Sequence, residues 1–339
     1  PLSLDAAEST RSDSATTIDP SLSEEDDRYL NDQAKALLEE FNAVAAEYPP
    51  QLPEPLVRRA ALIALDGVFH DVYAPFRPPV QEFLLSRIDR AIESMERTSV
   101  DEGAVIWKLY NDGFVVRTRT VTIAFDLYTA RGVGDGPGFS EEVVDRIVRQ
   151  CDALFVSHRH GDHADLRFAQ EFIDMGKPVL APETAFSKER IHARVTHLSS
   201  IPHRVQEVPL EGNQHLRVVA YPGHQGKEIE NIVWLVTTPE GLTFVQTGDQ
   251  FLSEDFAWID SVSQYHQVDV LFPQCWTLDL ARMVDGVQPK LVIPGHENEL
   301  GHTIGRRVPI WVDYRRRTGD MFGYWQWIER HIKSDKPAP

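Results

Sequence analysis

The sequence predicts a layered α/β fold that follows a helical segment. Up to about residue 102 the apolar residues recur at helical spacing, and from Gly103 onward short apolar segments typical of strands alternate with helical patterns. Strands and helices that alternate along a chain favour helices packed on sheets. A histidine-rich stretch, residues 157–165, stands where one predicted strand ends and a helix begins.

Three regions follow from these patterns. Residues 1–23 are rich in Ser, Thr, Asp and Ala and predict a flexible tail or arm, residues 24–102 predict a helical extension, and residues 103–339 hold the α/β pattern. The chain of 339 residues is 42% hydrophobic, which is enough for a large core.

Composition also narrows the partners and the compartment. A net charge of -18 disfavours nucleic acid and anionic membranes as partners, and no apolar run is long enough to span a bilayer. Two cysteines form no disulfide framework and fit a reducing compartment, which favours a soluble, cytoplasmic protein. The chain begins at Pro1 without a methionine, so an exported mature form stays open.

The helical extension predicts three helices separated by prolines. Ser23 followed by acidic residues is typical of a helix start, and that helix ends near Tyr48 before two prolines. Further helices are predicted over residues 56–70 and 80–97. Their apolar stripes need a cover, which is either the α/β region of the same chain or a second subunit of a homo-oligomer. We expect them to pack on the α/β region, near the edge that holds the histidine-rich stretch.

The elements of the α/β region begin with a hairpin. The segment Asn111-Asp112-Gly113 between two apolar runs is a strong turn signal. Ser140 is predicted to cap a helix that leads to the strand at residues 153–156, directly before the motif. Further strands are predicted at residues 121–125, 178–181, 216–220, 232–237, 242–246, 268–272 and 290–293, and helices at 277–284, 310–317 and 322–332.

The motif has the residue types and spacing of a metal site. Side chains two apart at the end of a strand point the same way, so His158 and His160 can hold one ion. Gly161 allows a sharp turn, after which Asp162 and His163 can reach a second ion. Imidazole and carboxylate are ligands of zinc and its neighbours. The alternative is an exposed polar loop.

Three more candidate ligands each follow a predicted strand and a glycine. They are His224, Asp249 and His296, preceded by Gly223, Gly248 and Gly295. A glycine at such a position lets the backbone pass close to an ion.

Together these ordered motifs resemble the metallo-β-lactamase superfamily over roughly residues 103–332. The resemblance implies a four-layer αβ/βα sandwich with a dinuclear metal site at one edge. It also implies the ligands: His158, His160 and His224 for the first ion, Asp162, His163 and His296 for the second, and Asp249 as the bridge. The helical first hundred residues match no pattern of that superfamily.

Two residues narrow the branch that the sequence resembles. Two-metal hydrolases of the superfamily carry the bridging Asp249, which true β-lactamases usually lack. His160 stands where the diiron flavoprotein branch usually has a glutamate, so redox chemistry is disfavoured. The pattern is similar to lactonases, phosphodiesterases and thioesterases, and most similar to the branch of ascorbate-6-phosphate lactonase and N-acyl phosphatidylethanolamine phospholipase D.

The sequence therefore predicts a dinuclear metal-dependent hydrolase. Two ions that share a water can give a bridging hydroxide near neutral pH. It would cleave an ester, lactone or phosphodiester bond of a small molecule, with Asp162 and Asp249 as the catalytic carboxylates. We expect zinc, with manganese or iron as alternatives. The alternatives in function are a β-lactamase and a non-catalytic metal-binding scaffold whose helices bind a partner.

Further residues are candidates for supporting the ligands or lining the pocket. Asp126, at a strand end, is a candidate for orienting a ligand imidazole, against a simple turn cap. Trp276 and His302 are candidates for the pocket wall, against core packing and a surface position. The remaining histidines of the α/β region are predicted to be structural or exposed: His192, His197, His203, His215, His266 and His331.

Overall fold

The computed structural model describes residues 18–51, 55–130, 138–275, 277–296 and 300. Several sequence predictions lie outside these residues: most of the N-terminal tail, the pocket candidates Trp276 and His302, His331, and the two helices expected at 310–317 and 322–332.

Three helices follow the tail, as the apolar spacing predicts: Glu24–Glu47 (α1), Leu56–Phe69 (α2) and Pro78–Arg97 (α3). The Ser23 hydroxyl accepts a hydrogen bond from the backbone N–H of Asp26 at 3.2 Å, which satisfies one of the free donors of the first turn. α3 begins earlier than predicted because proline suits the first helical positions, where no N–H is needed. Among the described residues, no helix has the length and apolar character that crossing a membrane requires.

Five strands form the first sheet, in sequential order. They are Val105–Lys108 (β1), Phe114–Arg117 (β2), Thr122–Phe125 (β3), Ala153–Phe155 (β4) and Val179–Leu180 (β5). The first three are antiparallel, and β3, β4 and β5 run parallel because the helices Glu141–Gln150 (α4) and Leu166–Asp174 (α5) carry the chain back. The carboxyl ends of β3 and β4 therefore lie side by side.

Six strands form the second sheet, in the order β11-β10-β9-β8-β7-β6. They are Gln206–Pro209 (β6), His215–Gly226 (β7), Ile229–Thr237 (β8), Thr243–Gln246 (β9), Val270–Phe272 (β10) and Leu291–Val292 (β11). Strands β6 to β9 are antiparallel, and β9, β10 and β11 are parallel. The connecting helices are Phe256–Ile259 (α6), Val262–Tyr265 (α7) and Leu280–Val287 (α8).

The two sheets pack face to face. In β2, Phe114 and Val116 join the apolar cluster between the sheets, whereas Val115 joins the cluster on the outer face. Across the interface the ring of Phe114 stacks on Phe272 with centroids 4.4 Å apart. Helices α4 and α5 cover the outer face of the first sheet, and α6 to α8 cover that of the second. The structure thus confirms the predicted four-layer αβ/βα sandwich.

The N-terminal helices belong to the outer layer of the first sheet. Phe41 of α1 and Phe83 of α3 meet edge to face at 5.7 Å, and Ile92 and Met95 of α3 have no exposed surface. These side chains lie in one apolar cluster with Ile147 of α4. The sequence left two possible covers for the apolar stripes of these helices. In the described contacts, the cover is the α/β region of the same chain.

The C-terminal end of α3 lies away from the edge of the sheet that holds the motif. Arg117 donates hydrogen bonds to the carbonyls of Met95 and Thr98. Arg117 pairs with Thr122 at one end of the β2–β3 ladder, while Phe125, which leads towards the motif, pairs at the other end. This observation concerns only the C-terminal end of α3, and the expectation that the helices pack near the metal edge stays a prediction.

Some elements differ from the sequence predictions. β7 contains His224, which was predicted on a loop, because β8 begins at Ile229 and pairs with β7 as far as Gly226. β6 was missed because its residues are mostly exposed and carry little apolar signal. α6 and α7 were missed because four residues are too short to show a helical period. α8 begins at Leu280, after the Asp279 cap, rather than at residue 277.

Candidate metal centre

The motif forms the turn between β4 and α5. The backbone N–H of His163 donates to the carbonyl of His160 at 3.0 Å, which closes the turn. The carboxylate of Asp165 caps α5 by accepting from the N–H of Arg167 at 2.9 Å. Both ends of the turn are therefore fixed by hydrogen bonds, and the motif side chains project from a defined backbone.

Four predicted ligands from three separate loops meet beside this turn. Nε2 of His296 lies 2.8 Å from Oδ1 of Asp249, and Nε2 of His163 lies 3.4 Å from the same oxygen. The two Nε2 atoms are 2.9 Å apart. Oδ2 of Asp162 lies 3.5 Å from Nε2 of His163. Two residues assigned to the second ion, His163 and His296, thus lie around one oxygen of Asp249, and the third, Asp162, lies beside His163.

The other oxygen of Asp249 lies near His158, one of the three residues assigned to the first ion. Oδ2 lies 3.7 Å from Nε2 of His158, and the rings of His158 and His160 are 4.8 Å apart. Gln225, which follows His224 in β7, donates to the same Oδ2 at 2.6 Å. Asp249 thus has His158 beside one oxygen, and His163 and His296 beside the other. The ligand groups within 4.8 Å do not include His160, Asp162 or His224 among the described residues.

The imidazoles are held through the nitrogen that would not bind a metal. Nδ1 of His163 lies 2.8 Å from Oδ2 of Asp126, and Nδ1 of His224 lies 2.8 Å from Oδ1 of Asp255. Nδ1 of His158 lies 3.0 Å from the hydroxyl of Ser157, which donates to Asp126. In all three rings Nε2 is left as the ligand atom, the usual arrangement around bound zinc.

The burial of the His158 imidazole indicates whether these residues suit a metal ion. Nε2 of His158 is buried and makes no hydrogen bond within the described part of the chain. A buried polar atom without a partner destabilises a fold unless a ligand or water satisfies it. His158, His163 and Asp249 offer ligand atoms within 4.8 Å of one another, and so do Asp112, His163 and His296. The residues present therefore fit divalent metal ions.

The buried histidines and Asp249 shift one another's pKa values. Burial alone would raise the pKa of Asp249, but the imidazoles of His296 and His163 outweigh it and lower that pKa. Burial alone would lower the pKa of His163, but the carboxylates of Asp249 and Asp126 raise it to about 10. Burial, with neighbouring His163, lowers the pKa of His158. A cation bound here competes with the proton on His163, so metal affinity falls at low pH.

Sequence reasoning missed two buried residues that tie the loops together. Nε2 of Gln246 donates to Oδ2 of Asp112 at 2.6 Å and to Oδ2 of Asp126 at 2.7 Å. Asp112 belongs to the hairpin turn, and burial raises its pKa to about 7. The usable signal was Gln246 itself, a polar residue at the end of an apolar strand and three residues before Asp249.

Asp255, which holds His224, was also missed. It precedes the short helix α6 and carried no recognisable spacing to the ligands. Its Oδ2 accepts from the backbone N–H of His224 at 3.0 Å and from the amide of Gln250 at 3.0 Å. The position of His224 is therefore fixed by both its backbone and its ring.

The glycines of the site have unequal roles. A Cβ on Gly248 would lie 2.3 Å from Cβ of Ser157, and one on Gly295 would lie 1.5 Å from Oδ1 of Asp112, so both positions need glycine for close approach. Gly248 also has a φ of 50°, which favours glycine. At Gly161 a Cβ would meet nothing within 4 Å and φ is not positive. The motif turn, which Gly161 was expected to allow, therefore does not depend on the small size of glycine in this structure.

We expect Asp126→Asn to weaken zinc binding by about 10- to 100-fold, the usual effect of losing a partner that orients a ligand. A neutral amide holds the imidazole of His163 less firmly than a carboxylate does. Competition with a chelating dye measures the affinity, and Asp145→Asn, in an exposed ion pair with Arg149, is the matched control. Equal affinities in both variants would show that Ser157 alone orients the ring.

Comparisons with known proteins concern the fold. No protein-family model matches the chain, and no curated protein matches it. Similar solved structures include Igni18, a metallo hydrolase of Ignicoccus hospitalis (15% identity, 57% of this chain and 82% of that one, TM-score 0.44). A second is CmlA, a diiron β-hydroxylase of Streptomyces venezuelae (14% identity, 70% of this chain and 52% of that one, TM-score 0.47). A third is YhfI of Bacillus subtilis, a metallo-β-lactamase fold protein (13% identity, 65% of this chain and 90% of that one, TM-score 0.41).

At these identities and TM-scores the likeness assigns no metal, reaction or substrate. The chain's own two sheets, their helical layers and the histidines at one shared edge define a metallo-β-lactamase-like fold. The resemblance predicted from the sequence is thus confirmed at the level of the fold.

Proposed function

We propose that the protein is a dinuclear metal-dependent hydrolase that cleaves an ester, lactone or phosphodiester bond in a small molecule. The observation that carries this proposal is the position of Asp249. One of its oxygens lies 2.8 Å from Nε2 of His296 and the other lies 3.7 Å from Nε2 of His158. A carboxylate between two imidazole sets supports two ions rather than one.

We assign the proposed ligands to two ions, one on each side of the Asp249 carboxylate. His158, His160 and His224 would hold one ion, and Asp162, His163 and His296 the other, with Asp249 shared. The donor set is five imidazoles and two carboxylates without a thiolate, which suits zinc, with manganese or iron as alternatives.

The bound ions would supply Lewis acidity to the substrate oxygen and activate water near neutral pH. Asp162 is placed to move the proton. Its side chain is 33% exposed, unlike the buried ligands around it, and the amide of Asn111 donates to its Oδ2 at 3.1 Å. A carboxylate that reaches solvent while its orientation is fixed can accept a proton and release it.

Carbonyl and phosphoryl oxygens are the groups that such a site polarises, so esters, lactones and phosphodiesters are the substrate class. Asp249 disfavours the β-lactamase alternative through the family pattern described above. A non-catalytic scaffold is disfavoured by the full set of seven candidate ligands in the sequence, since a decayed site usually loses ligands first.

The proposal predicts about two metal ions per chain and hydrolysis that depends on them. Gently purified protein is analysed for metals, stripped with a chelator, and reloaded with zinc, manganese or iron. Each form is then assayed on a generic ester, a lactone, a thioester, a phosphodiester and a chromogenic lactam. A reloaded protein with well under one ion per chain, or with two ions and no turnover on any substrate of the panel, would contradict the proposed function.

A further inference from the structure

A second group of metal-ligating side chains lies outside this centre, on the segment between β5 and β6. Nε2 of His192 lies 3.9 Å from Oε2 of Glu183, and the rings of His192 and His197 are 5.0 Å apart. One ligand atom from each of the three residues lies within 4.8 Å of the others. The segment holds a single 3-10 turn, His192–Arg194, within residues 181–199.

The imidazole of His197 has the bonding pattern of a metal ligand. Nδ1 of His197 lies 2.9 Å from the carbonyl of Ala181, so this nitrogen carries the hydrogen and Nε2 carries the lone pair. Nε2 of His197 is buried and makes no hydrogen bond within the described residues. His192 presents its Nε2 atom to Glu183. Both histidines were predicted from the sequence to be structural or exposed, yet Nε2 of His197 is a buried nitrogen that no described group satisfies.

We propose that Glu183, His192 and His197 form a separate binding site for a zinc-like divalent cation. Zinc binds imidazole nitrogen and carboxylate oxygen at about 2.0–2.2 Å, so two ligand atoms on one tetrahedral ion are about 3.3–3.6 Å apart. The 3.9 Å between His192 and Glu183 is too long for a hydrogen bond, and a small movement of the exposed carboxylate would bring it to the ligand separation. Three protein ligands leave the fourth position to water.

The charges and exposure at the site suit an ion taken up from solution. The side chain of Glu183 is 73% exposed and that of His192 is 34% exposed, so the carboxylate can move onto the ion without disturbing the core. Buried apolar residues flank the 3-10 turn that carries His192: they are Ile191 and Val195. The histidines are therefore fixed, and the glutamate closes the site.

The site has a structural consequence beside the main centre. The hydroxyl of Thr184 donates to Oε2 of Glu230 at 3.1 Å, and Glu230 pairs with His224 across β7 and β8. An ion that joins Glu183 to His197 would brace the segment that carries Thr184. The site therefore binds metal independently of hydrolysis and stabilises a segment that contacts the strand of a proposed ligand.

The test is a zinc titration by isothermal calorimetry of the full chain after all metal has been stripped. We expect the unmodified protein to bind one further equivalent of zinc beyond that taken up by variants of this group. Glu183→Gln and His197→Gln are each expected to weaken that equivalent at least tenfold, since a direct ligand matters at least as much as the residues that orient ligands.

Matched controls are Glu207→Gln and His215→Gln, which change the same residue types at exposed positions elsewhere. Both are expected to retain the further equivalent. Uptake that is equal in all four variants, or absent from the unmodified protein, would overturn the site. Because Glu183 is exposed, Glu183→Gln should fold normally. It therefore tests the site even if His197→Gln folds poorly. The zinc content of the main centre and the hydrolase assay are read separately, so failure of the proposed function leaves this result unaffected.

Discussion

Replacing Asp249 by alanine is expected to lower metal-dependent turnover to below about 1% of the unmodified protein. Residues that only orient metal ligands usually contribute 10- to 100-fold, and a carboxylate shared by both ions should exceed that range. The substitution removes the oxygens that lie 2.8 Å from His296 and 3.7 Å from His158. The two histidine sets then lack the group that holds both ions together.

The measurement combines turnover, metal content and a circular dichroism melt. The fold should survive, because the backbone N–H of Asp249 still donates to the side chain of Asn231 at 3.0 Å. Asp260→Ala, which removes a carboxylate from an exposed ion pair with Arg282, is the control for losing a negative charge. Turnover and metal content that match this control would show that Asp249 is not the bridge.

The candidate ligands could be selected from the sequence because their relative positions depend on local chain geometry. His158, His160 and His163 are separated by short fixed spacings, and a strand end followed by a turn brings such residues to one side. The glycines before Asp249 and His296 mark close approach of backbone to side chain, which the structure shows at both positions. These signals are contained within a few residues of the chain.

The partners of the ligands could not be predicted because their contacts join distant parts of the chain. Gln246 and Asp112 are 134 positions apart, and Asp255 and His224 are 31 apart. Neither pair has a spacing that one element would impose. For the same reason the length of β7 was underestimated: Pro222 suggests a strand end, but pairing with β8 continues past it to Gly226.

The N-terminal helices were predicted from their periodic apolar stripes, but their place in the molecule was not. An apolar stripe indicates that a helix is covered without indicating by what. Long-range contacts in the structure show what covers α3. The indole N–H of Trp107 in β1 donates to Ser94 of α3 at 3.1 Å, and Arg146 of α4 pairs with Glu96 of α3 at 2.9 Å. Helix α3 is thus joined to both the first sheet and its outer helices.

Deleting residues 1–100 and expressing the chain from Asp101 onward is therefore expected to give insoluble protein. Removal of α3 uncovers the apolar side chains that pack against Ile92 and Met95, which have no exposed surface. It also removes the carbonyl acceptors of Arg117. A newly exposed apolar face of this kind promotes aggregation. Solubility after expression and size-exclusion chromatography measure the outcome.

A point substitution makes the same test without truncation. Ile92→Ala is expected to lower the free energy of unfolding by about 2–5 kcal/mol, as for a buried aliphatic side chain. Leu56→Ala, at a side chain that is 72% exposed, should change it by less than about 0.5 kcal/mol. Chemical denaturation compares the two. A truncated chain that is monodisperse, equally stable and unchanged in substrate preference, together with equal effects of both substitutions, would show that the helices are a dispensable appendage.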